Sequence, residues 1–121
     1  MEQRKYDLED RLVKFAIEIL NICDSLPKER SGHAIGNQLA RSGTAPALLY
    51  GEAQAAESRA DFIHKMKILL KELRETRICL RIIREKPIIF DQKTELMLKE
   101  CNELIGIFSA SIKTAKSKIS K

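Results

Sequence analysis

Tryptophan is absent from this chain of 121 residues, and only six residues are aromatic. Protein surfaces that read single-stranded RNA usually stack the bases on interleaved aromatic side chains. None of the six aromatics lies among the basic residues discussed below, so the sequence excludes a platform of that kind. Glycine and proline are also scarce, with five and three residues, which excludes a disordered chain of low complexity.

Long apolar runs are missing as well. No stretch approaches the roughly 18 apolar residues that a membrane helix needs, and residues 1–10 mix acids with bases. We therefore expect a cytoplasmic protein without a signal peptide. Cysteine is limited to Cys23, Cys79 and Cys101, which are widely spaced and lie in apolar helical stripes. This pattern predicts reduced core thiols, with metal binding as the alternative.

The composition that remains is typical of a helical domain, with 44% apolar and 32% charged residues. A chain of this length buries about two-thirds of the surface of its unfolded form, so residues 1–121 are predicted to form one domain. Breaks at Pro27, Ser58 and Pro87 separate four periodic segments. We predict an all-α, up-and-down antiparallel four-helix bundle with helices at about 7–25, 32–56, 59–86 and 91–117. Pro46 lies inside the second helix and is predicted to kink it.

The first helix has a wide apolar arc. A core stripe runs from Leu12 to Leu26, and three further apolar residues extend it sideways, namely Val13, Ile17 and Leu20. Surface helices usually show an apolar arc of a little over about 100°. The three lateral residues are therefore predicted to contact a second subunit. A well-buried helix in a monomer is the alternative.

The third helix carries the positive charge of the chain. From Ser58 to Lys86 there are nine Lys or Arg against four Asp or Glu, a net of plus five that equals the net charge of the whole chain. At about 100° per residue, six of these cations fall within an arc of about 140° beside the core face. They are Lys67, Lys71, Arg74, Arg77, Arg81 and Arg84.

Arginine matches phosphate geometry, so these six residues are predicted to bind nucleic acid through its backbone. An inert solvated face and salt bridging between subunits are the alternatives, because Glu72, Glu75 and Glu85 are close enough for pairs within the helix. A second basic segment, residues 113–121, ends the chain with four lysines and forms either a solvated tail or an aid to polyanion binding.

A catalytic arrangement is not recognisable. His33 and His64 have no ligand partner four residues on, and Ser42 and Thr44 do not lie in a nucleophile motif. We predict no catalytic residues, no metal and no cofactor, and hence no enzyme.

The segment from Gln38 to Ile83 carries a family resemblance, and it reads QLARSGTAPALLYGEAQAAESRADFIHKMKILLKELRETRICLRII. It resembles the 23S rRNA intervening-sequence proteins, which are related to the accessory variability determinant of diversity-generating retroelements. The Leu-Pro-Lys-Glu turn at Pro27 is similar too. The chain departs from the family at residues 45–49, where the family usually has a small-residue run ending in Asn.

The resemblance implies a small bundle that associates into a homopentamer. It also implies binding of nucleic acid and of a partner protein such as a reverse transcriptase, as in the retroelement relative. Residues and resemblance together predict a non-enzymatic oligomer that binds RNA or DNA with low sequence specificity. The alternative is a protein-interaction scaffold that does not bind nucleic acid.

Overall fold

The computed structural model describes the backbone of residues 2–119 and the side chains of residues 8–118. Four helices follow one another in it: α1 (Glu2–Ser25), α2 (Arg30–Gln54), α3 (Arg59–Glu85) and α4 (Gln92–Ile119). No described residue belongs to a strand. The all-α class is therefore confirmed. The predicted helix ends differ by five residues at the start of α1 and by no more than two elsewhere.

Short polar residues set the starts of α3 and α4. The Ser58 hydroxyl accepts a 3.0 Å hydrogen bond from the backbone N–H of Asp61, which confirms the predicted cap of α3. Asp91 does the same for α4 by accepting a 2.9 Å bond from the backbone N–H of Lys93. Each side chain satisfies a backbone donor that would otherwise have no partner in the first helical turn.

Pro46 lies inside α2, which continues from Arg30 to Gln54 without a break. Because proline has no N–H, the carbonyl of Ser42 loses its usual helical donor. Thr44 serves a neighbouring carbonyl, since its Oγ1 donates a 2.8 Å hydrogen bond to the Ala40 oxygen. The bend at Pro46 stays a prediction.

The helices pack in a ring in which each contacts the two beside it. Helix α2 packs against α1 and α3, and α4 packs against α3 and α1, so α1 and α3 lie diagonally across the bundle. The core between them contains apolar residues of all four helices, including Leu12 and Leu26 at the two ends of the stripe predicted for α1. Its largest fully buried side chains are Leu12, Phe15, Ile19, Ile22, Leu39, Met66, Leu69, Leu73, Leu80, Ile83, Leu104 and Phe108.

Burial of this size supplies the main stability of the fold, since each fully buried Leu, Ile or Phe contributes about 1.5–3 kcal/mol. The sequence analysis did not place Ile63 and Leu98 in the core, although both are buried. They lie at the flanks of their helices, where a neighbouring helix covers them. Helical period alone does not show how far that cover extends.

The three cysteines are free, as predicted. Cys79 and Cys101 are buried and Cys23 is half-buried. Burial raises the pKa of the Cys101 thiol to about 12 and that of Cys23 to about 11. Because the thiolate is the nucleophile and the metal ligand, these shifts oppose reactivity at neutral pH.

Candidate nucleic-acid interface

The six predicted phosphate-binding residues lie on one side of α3, at the surface. Lys67, Lys71, Arg74, Arg81 and Arg84 are exposed, and Arg77 is half-buried beside α4. The adjoining face of the same helix is in the core, where Leu73 and Leu80 are fully buried. The helical phase assumed in the sequence analysis is therefore confirmed. Binding by these residues stays a prediction.

Two of the three nearby carboxylates form ion pairs with α2 and not with these cations. Arg41 of α2 reaches across to α3, where its Nη1 lies 3.1 Å from Glu72 Oε1 and its Nη2 lies 2.6 Å from Glu75 Oε1. Gln38 Nε2 adds a 3.2 Å hydrogen bond to Glu75 Oε1. Glu72 and Glu75 therefore pair with α2, although their spacing also allows pairs within α3. Both carboxylates lie on the flank of α3 that faces α2, so a residue of α2 reaches them first.

The third carboxylate, Glu85, does pair with cations of α3. Arg81 Nε donates a 2.8 Å hydrogen bond to Glu85 Oε2, which is the predicted pair within the helix. This bond lowers the pKa of Glu85. Arg84 lies between Glu85 and Glu95 of α4, at 3.4 Å from each. The positive charges of Arg81 and Arg84 are thus partly neutralised, although exposed pairs of this kind are weak.

The cations nearer the start of α3 are not neutralised in this way. Among residues 8–118, no carboxylate forms an ion pair with Lys67, Lys71 or Arg74. A further cation comes from the end of α4, because the charge of Lys67 lies close enough to lower the pKa of Lys116. Lys113 is exposed and lies one helical turn before Lys116, on the same flank of α4.

These residues form one surface that we call the cationic patch: Lys67, Lys71 and Arg74 of α3 with Lys113 and Lys116 of α4. Leu70, Glu75 and Ile78 line an open groove of about 390 Å³ together with the α3 members of the patch. Sequence reasoning treated the two lysines of α4 as part of a tail. Sequence reasoning did not predict that Arg41 pairs with Glu72 and Glu75, because that pairing depends on how α2 packs against α3. Lys121, the last cation of the predicted tail, lies outside the described residues.

The three residues predicted to contact a second subunit are on the surface of the single chain. Val13 is 44% exposed, Ile17 52% and Leu20 42%. Two isoleucines of α3 are exposed to the same degree, Ile78 at 46% and Ile82 at 45%. Contact with a second subunit stays a prediction.

Other site types find little support in the part of the chain that the structure covers. No three His, Cys, Asp or Glu side chains among those residues are grouped so that they could hold a metal ion. Within the same part, no helix is both long and apolar enough to cross a membrane. One buried side-chain oxygen, Thr94 Oγ1 near the start of α4, has no hydrogen-bond partner.

Comparison with known proteins agrees with this architecture. The chain is similar to the 1.70 Å crystal structure of a protein with unknown function from the S23 ribosomal protein family of Bacteroides thetaiotaomicron VPI-5482. The TM-score is 0.82 at 31% identity, and the match covers 90% of this chain and 97% of that one. No curated protein matches the chain. A family model for the 23S rRNA-intervening sequence protein matches residues 4–110. Since this match spans most of the sequence, the chain belongs to the family of 23S rRNA-intervening sequence proteins.

Proposed function

We propose that this protein is a non-enzymatic oligomeric bundle that binds RNA or DNA through backbone phosphates at the cationic patch. One observation carries the proposal. The Arg41 bridge engages both Glu72 and Glu75, while Lys67, Lys71 and Arg74 have no carboxylate partner among the described residues. Lys116 of α4 lies beside Lys67 and extends this positive surface onto a second helix.

Phosphate is the ligand group that suits this surface best. The patch belongs to two neighbouring helices, so it presents cations in two rows along the bundle instead of one deep pocket. Contacts between cations and backbone phosphates carry no sequence information, and the patch contains no aromatic residue for stacking on bases. We therefore expect RNA and DNA of unrelated sequence to bind with similar affinity, and binding to weaken steeply with salt.

Assembly is the second part of the proposal. The exposed side chains of Val13, Ile17 and Leu20 support burial against another copy. The family resemblance suggests a homopentamer. It also suggests ribosomal RNA, or a reverse transcriptase bound to its template, as the larger complex in which such an oligomer acts.

A charge-reversal experiment tests phosphate binding. The variant Lys71→Glu/Arg74→Glu removes two patch cations, and the control Lys14→Glu/Lys28→Glu makes the same change in net charge at exposed positions away from the patch. Fluorescence anisotropy with labelled RNA and DNA duplexes should show at least about a tenfold loss of affinity for the patch variant and little change for the control. Equal losses in the two variants would mean that only the net charge matters.

A protein-interaction scaffold is the second candidate function. The observation that favours it is Phe90, which is 92% exposed in the connection between α3 and α4. Exposed aromatic side chains often anchor protein interfaces. If the wild-type protein binds neither polyanion at low salt, this second function replaces the first.

A further inference from the structure

A groove opens where the end of α1 connects to the start of α2. It has a volume of about 360 Å³, within the range of roughly 300–1,000 Å³ that is common for small-molecule pockets. Leu26, Pro27 and Ala40 give the groove an apolar lining, and Gly36 lines it without a side chain. The groove therefore has room for a short aliphatic group.

Four polar side chains line the same groove, and all four are exposed, namely Asp24, Lys28, His33 and Asn37. None of them forms a side-chain hydrogen bond or an ion pair with another described residue. Asp24 and Lys28 carry opposite charges and yet do not pair with each other. A carboxylate, an ammonium group, an imidazole and an amide thus keep their capacity to bind a ligand.

The two charges of the groove belong to different elements. Asp24 lies in the last turn of α1, where burial, and then the charge of Asp24, raise the pKa of the neighbouring Cys23 thiol to about 11. Lys28 lies just before α2, whose first turn contains no acidic residue. The side chain of Glu29 forms no capping bond there. The positive end of the α2 dipole therefore adds to the positive charge of Lys28.

A small molecule that carries both charges and a short apolar group matches these features. Its ammonium group would pair with Asp24 and its carboxylate with Lys28, and both hydrogen bonds would be charge-assisted. The apolar group would pack on the lining at Ala40. A molecule with only one of the two charges would leave either Asp24 or Lys28 without a partner. The end of a polypeptide chain supplies only one of them, so a free molecule fits the groove better.

We propose that this groove is a binding site for a free α-amino acid with an aliphatic side chain. This site is separate from the proposed phosphate site, because no residue of the cationic patch lines the groove. Amino-acid binding and polyanion binding are therefore measured independently, and the failure of one leaves the other intact.

A titration with three related probes tests the site. L-leucine carries both charges, its methyl ester lacks the carboxylate, and isocaproate lacks the ammonium group. In magnetic resonance spectra of isotopically labelled protein, leucine should cause saturable shifts in the amide signals of Gly36 and Ala40. The ester and isocaproate should each bind at least about tenfold more weakly, because each loses one charge-assisted hydrogen bond. No saturable shift at millimolar leucine, or equal binding of the three probes, would overturn the proposal.

Two charge-neutralising variants identify the residues that bind. Asp24→Asn should weaken leucine binding at least about tenfold but should not weaken isocaproate binding, because isocaproate has no ammonium group. Lys28→Gln should weaken leucine binding to a similar degree but should not weaken binding of the methyl ester. Glu29→Gln and Arg30→Gln are the matched controls, since both residues are exposed next to the groove without lining it. Both controls should bind leucine as the wild type does, and equal losses in variants and controls would overturn the proposal.

Discussion

Gly43 shows how closely α1 and α2 approach each other. A Cβ at this position would lie 2.5 Å from Cγ2 of Ile19, which is fully buried and has no room to move. Gly32 is tighter still, because a Cβ there would lie within 1.8 Å of the Pro27 carbonyl oxygen. Contacts within the chain therefore explain on steric grounds why both positions are glycine. Gly106 on α4 has none, since a Cβ would meet nothing within 4 Å.

We predict opposite effects for the same substitution at two of these positions. Gly43→Ala should lower the free energy of unfolding by about 1–3 kcal/mol, because the added methyl group overpacks the core against Ile19. Gly106→Ala should raise it by about 0.5–1 kcal/mol, because alanine favours an exposed helix interior over glycine. Urea unfolding followed by circular dichroism measures both. A loss of stability at Gly106 would mean that this surface is covered in the assembled protein.

At the scale of helices, ion pairs connect elements that are far apart in sequence. Arg11 of α1 binds Glu100 of α4 with two bonds, from Nε at 3.0 Å and from Nη2 at 2.7 Å. Arg41 makes the corresponding connection from α2 to α3. Such partly exposed pairs contribute little to stability, on the order of 1 kcal/mol or less. The Arg41 bridge matters more for what it does to the charge next to the cationic patch.

We predict that Arg41→Ala weakens polyanion binding although Arg41 is not part of the patch. Without it, Glu72 and Glu75 regain their full negative potential one position from Lys71 and Arg74, so phosphate affinity should fall severalfold at low salt. Arg11→Ala is the matched control, because it breaks a similar bridge, the one between Arg11 of α1 and Glu100 of α4. Titration of both variants with one labelled duplex makes the comparison. If the two variants lose affinity equally, the bridge has no specific role.

At the scale of the whole molecule, the proposed assembly multiplies the patch. One copy offers five cations to a polyanion, a modest number for tight binding. Copies held in one particle make the second and later contacts intramolecular, which raises the overall affinity without any new contact.

Assembly and binding should therefore be separable by ligand length. The variant Val13→Glu, at an exposed position of α1, should be monomeric and should bind a short duplex that spans one patch as well as the wild type does. For a duplex long enough to reach several patches, its affinity should be lower by about 10²-fold or more. Light scattering and anisotropy on the same samples test this. A monomer that binds long duplexes at full strength would show that avidity plays no part.

The amino-acid sequence by itself determined the number, order and core-facing sides of the helices. These features depend on interactions within a few residues, such as the bond from Asp61 to Ser58 or the placement of Leu73 and Leu80 one heptad apart. It also placed the six cations of α3 on one side of that helix. Local periodicity suffices for this, because a helix repeats its geometry whatever its neighbours are.

Only the tertiary structure decided which of those cations lack a carboxylate partner. Glu72 lies closer in sequence to Lys71 and Arg74 than to Arg41, yet its oxygen is 3.1 Å from Arg41 because α2 packs along that flank of α3. Lys116 likewise comes close to Lys67 from the other end of the chain. Charges act through distance in space, and in a bundle that distance is set by which helices are neighbours. Helical period does not contain this information, so the cationic patch and the diagonal placement of α1 and α3 appear only once the chain has folded.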